Sequence, residues 1–269
     1  MARRNFYDIV THSEFNLSAE YARLYTLFYD GTDLHCSVSD LVENAFECFP
    51  SYLVGRTINL SDFDDTYDFC FPRTPFQLST ELLITFCEYI WNFNVAILSH
   101  GSTTIDEYDA ESVNHLQEKV YACMTDLGMM LHQAGNLFVF VEKSPEVVAA
   151  IELVDAELAG DVLRYHHHSL KGDLTKKRTI LKQMADDIES DRPKLRSINR
   201  TIENQLFLLM HKFVRHDHSQ TPYIATMTPQ EIEACYDDIY QMWLLAKLEL
   251  DHYAERKDRV AHLLDTINQ

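Results

Sequence analysis

The chain has 269 residues, 46% of them hydrophobic, and a formal charge of −19. That apolar content sustains the buried core of one large or two small domains and excludes a disordered chain. Seven glycines and seven prolines are few for this length, which argues against a many-stranded sandwich or barrel and for a mainly α fold.

The charge is unevenly spread. Residues 1–163 hold 7 Lys and Arg against 26 Asp and Glu, whereas residues 164–269 hold 16 of each. The pattern suggests an acidic, mostly helical N-terminal region over residues 1–136, and a helical bundle with a basic face over residues 137–269, the two being either separate or one continuous domain. The six cysteines, at positions 36, 48, 70, 87, 123 and 235, form no C-x-x-C pair and no zinc-ligand spacing. They read as reduced thiols of a cytoplasmic protein, with Cys87 and Cys123 buried in apolar helical patterns. The basic start Met1-Ala2-Arg3-Arg4 has no apolar run behind it, and Glu88, Asn92 and Asn94 interrupt the apolar stretch 82–98. Neither secretion nor a membrane partner is expected.

In chain order, helical spacing predicts a first helix from Ser18 to Tyr29 and a second, short one from Ser37 to Phe49. The aromatic and acidic run Asp62 to Phe69 reads as an ordered surface loop, since no calcium-loop spacing is completed. A nearly all-round apolar helix, a central core element, is predicted between Pro75 and His100, followed by an amphipathic helix from Glu107 to His132. Leu137-Phe138-Val139-Phe140-Val141-Glu142, between Gly-Asn and Ser-Pro, is the best strand, which implies a minor β-hairpin or a single short strand pair. A helix then starts at Ser144-Pro145-Glu146 and runs to about Tyr165. Asp173 caps another through Ile188, and a third is expected over Leu195 to Val214. Thr228-Pro229-Gln230-Glu231 carries the N-cap Thr, N1 Pro and N3 Glu that open a last helix, predicted to reach Asn268. Four helices with short connections make a bundle.

The chemistry concentrates at the end of the third of these helices, in His211-Lys212-Phe213-Val214-Arg215-His216-Asp217-His218. Two readings compete. Cations at a helix C-terminus satisfy its last carbonyls and complement its dipole, so Lys212, Arg215 and His216 are suited to capping. Alternatively, Arg215 holds a phosphate while a histidine transfers a proton near neutral pH. Upstream, residues 164–215 hold 12 Lys and Arg against 6 Asp and Glu, a locally basic stretch in an acidic protein. His167, Lys171, Lys176, Lys177, Arg178 and Lys212 are the candidate phosphate or nucleic-acid contacts if one face of it meets phosphate; a merely solvated helix face is the other reading. In the triple His166-His167-His168, neighbouring side chains on a regular helix cannot all reach one ion. No metal is therefore assigned, and one imidazole is placed at a helix end facing phosphate.

The helix running into Arg215-His216, the turn after it and the last helix opened by Thr228-Pro229-x-Glu231 resemble the HEPN superfamily. The stretch from Phe138 through Pro145-Glu146 to Tyr165-His166 and Lys176-Lys177-Arg178 looks like the region before that unit in AbiJ-type abortive-infection proteins. The resemblance covers about residues 137 to 255. It implies a cytoplasmic phage-defence protein, a homodimer that cleaves RNA without metal or cofactor, with a defence-system partner protein. Active members carry Arg, a polar residue, a spacer of three to five residues and His. Arg215 matches the arginine and His216 the polar residue, but Gln220, Thr221 and Pro222 stand where the histidine is expected. His218 gives Arg-x-x-His instead. On this resemblance Arg215 stabilises charge on phosphorus, His216 or His218 is the base for a ribose 2′-hydroxyl, and Asp217 orients an imidazole.

A non-catalytic helical module that senses a nucleotide or phosphate, or holds a protein partner, uses the same basic face without a proton-transfer histidine. A third reading makes the acidic N-terminal part a nucleic-acid mimic or a cover for a basic partner, although the aromatics within it suggest ordinary packing.

Overall fold

A computed structural model describes residues 15–32, 36–100, 106–215, 222–253 and 257–267. The fold is mainly α, with one two-stranded antiparallel sheet. Two compact units divide at Phe140/Val141.

In the first unit α1 (Leu17–Tyr25) is capped by Asn16, whose side chain accepts from the Ala19 amide, and it continues into a π-helical turn, Thr26–Asp30. Helix α2 (Val38–Ala45) is capped by Ser37, and the one-turn α3 (Ser51–Val54) follows. Its end at Gly55 has φ +62°, a left-handed conformation that favours glycine. Where the acidic run predicts a loop, the chain forms α4 (Leu60–Tyr67). Asn59 accepts from the Asp62 amide and starts this helix, and the carboxylates of Asp62 and Asp64 are used locally, by the Ile58 amide and the Tyr89 hydroxyl. Phe63 and Phe69 stack beneath them at 5.6 Å and belong to the core.

Helix α5 (Thr80–His100) is the centre of this unit. Leu83, Phe86, Cys87, Ile90 and Ile97 are completely buried on it. By length and mean hydropathy (1.4) it is long and apolar enough to cross a membrane, but 61% of that stretch is buried inside the fold, as in a core helix. It packs on α6 (Glu107–Asp126), and α1 and α2 pack on both. Cys87 and Cys123 are buried between them as expected, and burial pushes the Cys87 thiol pKa up.

The helix predicted to reach His132 stops at Asp126, and Gly128, at φ +73°, turns the chain into β1 (Met129–Ala134). Strand β2 (Leu137–Glu142) has the predicted bounds. Asn92 of α5 holds it: the amide nitrogen donates to the Phe138 carbonyl and the amide oxygen accepts from the Phe138 N–H, both at 2.8 Å.

The second unit contains further breaks. The helix expected from Ser144 to Tyr165 is two, α7 (Pro145–Ile151) and α8 (Ala156–Arg164), because Asp155 accepts from the Glu157 and Leu158 amides and starts a new one. Helix α9 (Leu174–Glu189) follows its Asp173 cap. The expected helix 195–214 is interrupted at Asn199, whose backbone is extended (φ −142°, ψ 87°) and whose side chain accepts from the Ile202 amide. Helix α10 (Arg192–Ile198) lies before it and α11 (Arg200–Leu209) after, the latter widening into a π-helical turn, Met210–Arg215. After the short α12 (Pro222–Ala225) comes α13 (Pro229–Asp251), opened by the full Thr228/Glu231 capping box. It packs against α7, α9, α10 and α11, and its Tyr236, Ile239, Trp243 and Leu244 form the middle of the unit. Helix α14 (Lys257–Ile267) ends the described chain, so the predicted last helix is described as two stretches.

Candidate functional site in the second unit

The basic residues of the second unit do not share one exposed face. Lys177 is 4% exposed, and its Nζ lies 2.9 Å from both Asp237 and Glu233 of α13 and 4.9 Å from the centre of the Tyr165 ring. Tyr165 in turn stacks on Tyr240 at 4.2 Å, so this lysine is fixed inside the packing of α9 on α13 and does not reach solvent. Arg178 donates from Nε to the Val214 carbonyl at 2.9 Å. Lys171, Lys176 and Lys212 are exposed, Lys176 pairing with Asp173 at 3.2 Å. His167 is buried, with Nδ1 2.8 Å from the Ser169 hydroxyl, and it caps the turn His168–Leu170. His166 is exposed but lies edge-on against Tyr240, and the desolvation lowers its pKa.

Arg215 closes the π-helical turn and reaches α9 rather than its own helix. Nη2 donates to the Ala185 carbonyl at 3.2 Å and lies 3.4 Å from Asp186 and 2.7 Å from Glu189. The guanidinium thus sits at the C-terminal turn of α9, where a cation complements the helix dipole. Since Arg178 of α9 bonds the Val214 carbonyl, each element lends an arginine to the other's terminal turn. The capping reading of Arg215 therefore applies, but to a neighbouring helix. His216, Asp217 and His218 lie outside the described residues.

Only one nitrogen of Arg215 makes these contacts among the described residues. The side chain, 37% exposed, also lines a depression of about 450 Å³ together with Arg192, Asn204, Phe207, Leu208 and His211. Asn204, Leu208, His211 and Arg215 are spaced four, three and four apart, so α11 and its π-helical turn present them on one side. Arg192 enters from the start of α10. Its Nε donates to the fully buried Glu203 at 2.7 Å, and its Nη1 is 3.8 Å from Glu189. Glu189 thus lies between the two arginines, 2.7 Å from Arg215 and 3.8 Å from Arg192. Glu189, Glu203 and Asp186 offset their local charge, and among the described residues N–H donors remain on both, which suits a planar or tetrahedral oxyanion.

A larger depression, about 770 Å³, lies in the first unit between Glu20, Arg23, Leu27, Lys119 and Asp126. Cations and carboxylates alternate along it and Arg23 is already paired with Glu20, so it offers an anion no excess of positive charge.

Arg192, Asn204 and His211 were outside the set chosen from sequence. A usable signal existed for two of them: Asn204 and His211 are polar residues on the side of α11 and its π-helical turn that carries Arg215, whereas Arg192 lies on α10, before the break at Asn199.

No family model, no curated protein and no solved structure matches this chain. Its class is therefore stated from the fold alone, a mainly helical protein of two compact units.

Proposed function

We propose that the second unit recognises the phosphate of a nucleotide or an RNA through the depression between Arg192 and Arg215. The observation that carries this reading is that Arg192, His211 and Arg215 line one depression, with Glu189 lying 2.7 Å from Arg215 and 3.8 Å from Arg192. A phosphate there accepts from the Arg215 guanidinium nitrogens other than Nη2, and His211 adds a donor when protonated. The test is calorimetric titration with a short single-stranded RNA and with ribose 5-phosphate. Binding of both, weakened at least tenfold in Arg215→Lys and in His211→Ala, is expected; wild-type protein that binds neither overturns the proposal. His211 is exposed, whereas Arg215 variants also loosen the end of α9.

A second reading, metal-independent RNA cleavage by a homodimeric, cytoplasmic phage-defence protein of the HEPN type with its own partner protein, is favoured by one observation. His211 lines the same depression as Arg215 and is the histidine there that could supply an imidazole. In that chemistry the 2′-hydroxyl loses its proton to an imidazole and attacks its own phosphate, the 5′-oxygen leaves, and Arg215 stabilises the charge gathered on phosphorus. Incubation with RNA in the presence of a chelator should give fragments ending in cyclic phosphate, at a rate cut about a hundredfold in His211→Ala. Intact RNA overturns this second reading and leaves the first standing.

A further inference from the structure

The guanidinium of Arg192 is held on three sides. Its carbon lies 4.4 Å from the centre of the Phe207 ring, so one face is covered by an aromatic; Glu203 accepts from Nε; Glu189 stands off Nη1. Phe207 is 6% exposed and is itself fixed in the core, while the Arg192 side chain is 45% exposed and lines the depression. An arginine engaged only through charge needs neither a backing ring nor a carboxylate at its Nε edge. This arrangement fixes the guanidinium against Phe207 at a depression that Asn204, His211 and Arg215 also line.

We infer that Arg192 on Phe207 is a stacking platform for a nucleobase, so that the ligand is a nucleotide unit, base on Arg192 and phosphate on Arg215, rather than a bare phosphate. The inference rests on the phosphate reading of the same depression and adds the base to it. A planar delocalised cation stacks on the π-face of any base, and a carboxamide meets the donor and acceptor groups of its edge. A lysine keeps the charge and loses the plane, which makes charge and stacking separable.

The experiment compares ribose 5-phosphate with adenosine and uridine 5′-monophosphates by isothermal titration calorimetry, on the full chain. Each nucleotide should bind about tenfold more tightly than ribose 5-phosphate, the scale of one stacked base. In Arg192→Lys that ratio should fall toward one while ribose 5-phosphate binding changes less than threefold. Asn204→Ala, at an exposed position that does not support the fold, should reduce the nucleotide preference without affecting ribose 5-phosphate. Equal affinities for nucleotides and ribose 5-phosphate in the wild type overturn the platform and leave the phosphate site intact. No binding of any of the three overturns both.

Discussion

Lys177 and Arg215 belong to the same basic stretch of sequence, and their surroundings give them opposite roles. The lysine is enclosed by Tyr165, Asp237 and Glu233, so its value is structural. Removing one partner of a buried pair strands the others, and Lys177→Ala should cost about 3–5 kcal/mol of unfolding free energy in a urea titration. A loss below about 1 kcal/mol would show that solvent reaches the site. Glu233 carries the pH dependence of this cluster. A hydrogen bond from the Gly172 amide, and then one from Lys177, hold its pKa below the ordinary 4.5. A depressed carboxyl contributes stability that is complete above its unfolded pKa and disappears as pH falls through the folded one. Wild type should therefore be more stable than Glu233→Gln at pH 7, and the difference should shrink between about pH 5 and pH 3. A constant difference over that range would mean that the carboxylate charge is not what stabilises the contact. Residue types alone could not separate the two cations: Lys177 follows Lys176 directly, and only the packing of α9 on α13 turns one inward and the other out.

At the level of elements, apolar periodicity was enough where it was long and uninterrupted. The core helix α5 and strand β2 follow directly from their patterns, since Leu137 to Val141 is an unbroken run rich in β-branched and aromatic residues, bounded by Gly-Asn and Ser-Pro. Other elements were hidden by local hydrogen bonds that compete with periodicity. Asn199 and Asp155 sit within helix-compatible stretches, but each side chain accepts from amides two or three residues ahead and starts a new helix. Met129 to Ala134 prolongs the pattern of α6 because Met, Leu, Gln and Ala are good helix formers, and the positive φ of Gly128 decides against it. Asn59 made a helix of an acidic run in the same way. These breaks also conceal the site: a single helix over 195–214 leaves Arg192 beyond its end, although Arg192 and Arg215 line one depression. The hairpin also offers a test of its support. Asn92→Ala leaves the N–H and carbonyl of Phe138 without their side-chain partner, at about 1–3 kcal/mol for each group that stays buried. Hydrogen exchange should show the Phe138 amide losing protection by at least tenfold, whereas amides of α13 keep theirs. Unchanged protection at Phe138 would assign the anchoring to Glu88, which accepts from the Phe140 amide at 2.6 Å.

For the whole molecule, charge limits how RNA can be bound. Residues 1–140 hold 6 Lys and Arg against 20 Asp and Glu, and residues 141–269 hold 17 against 22, so each unit is net negative. Many of the basic side chains in the second unit are already matched, as Lys177, Arg178, Arg192 and Arg215 show. A long polyanion is therefore repelled at a distance and attracted only at a few guanidiniums, the reverse of proteins that grip nucleic acid along a basic surface. Counterion release measures the number of such contacts, since log K falls against log salt with a slope of about −0.7 per phosphate neutralised on a single strand. With Arg215 on a phosphate and the charge of Arg192 beside it, a short single-stranded RNA should give a slope between about −0.7 and −1.4, and Arg215→Lys should lower the affinity with little change in that slope because the charge is kept. A slope steeper than about −3 would require a broad cationic surface that Lys171, Lys176 and Lys212 would have to supply, and would move the binding site away from the depression. The shallow slope has a further consequence for specificity. When non-specific attraction is weak, discrimination among ligands falls to the groups that contact the base and the phosphate directly, and a change as small as Arg192→Lys should then be visible at physiological salt rather than masked by general electrostatic binding.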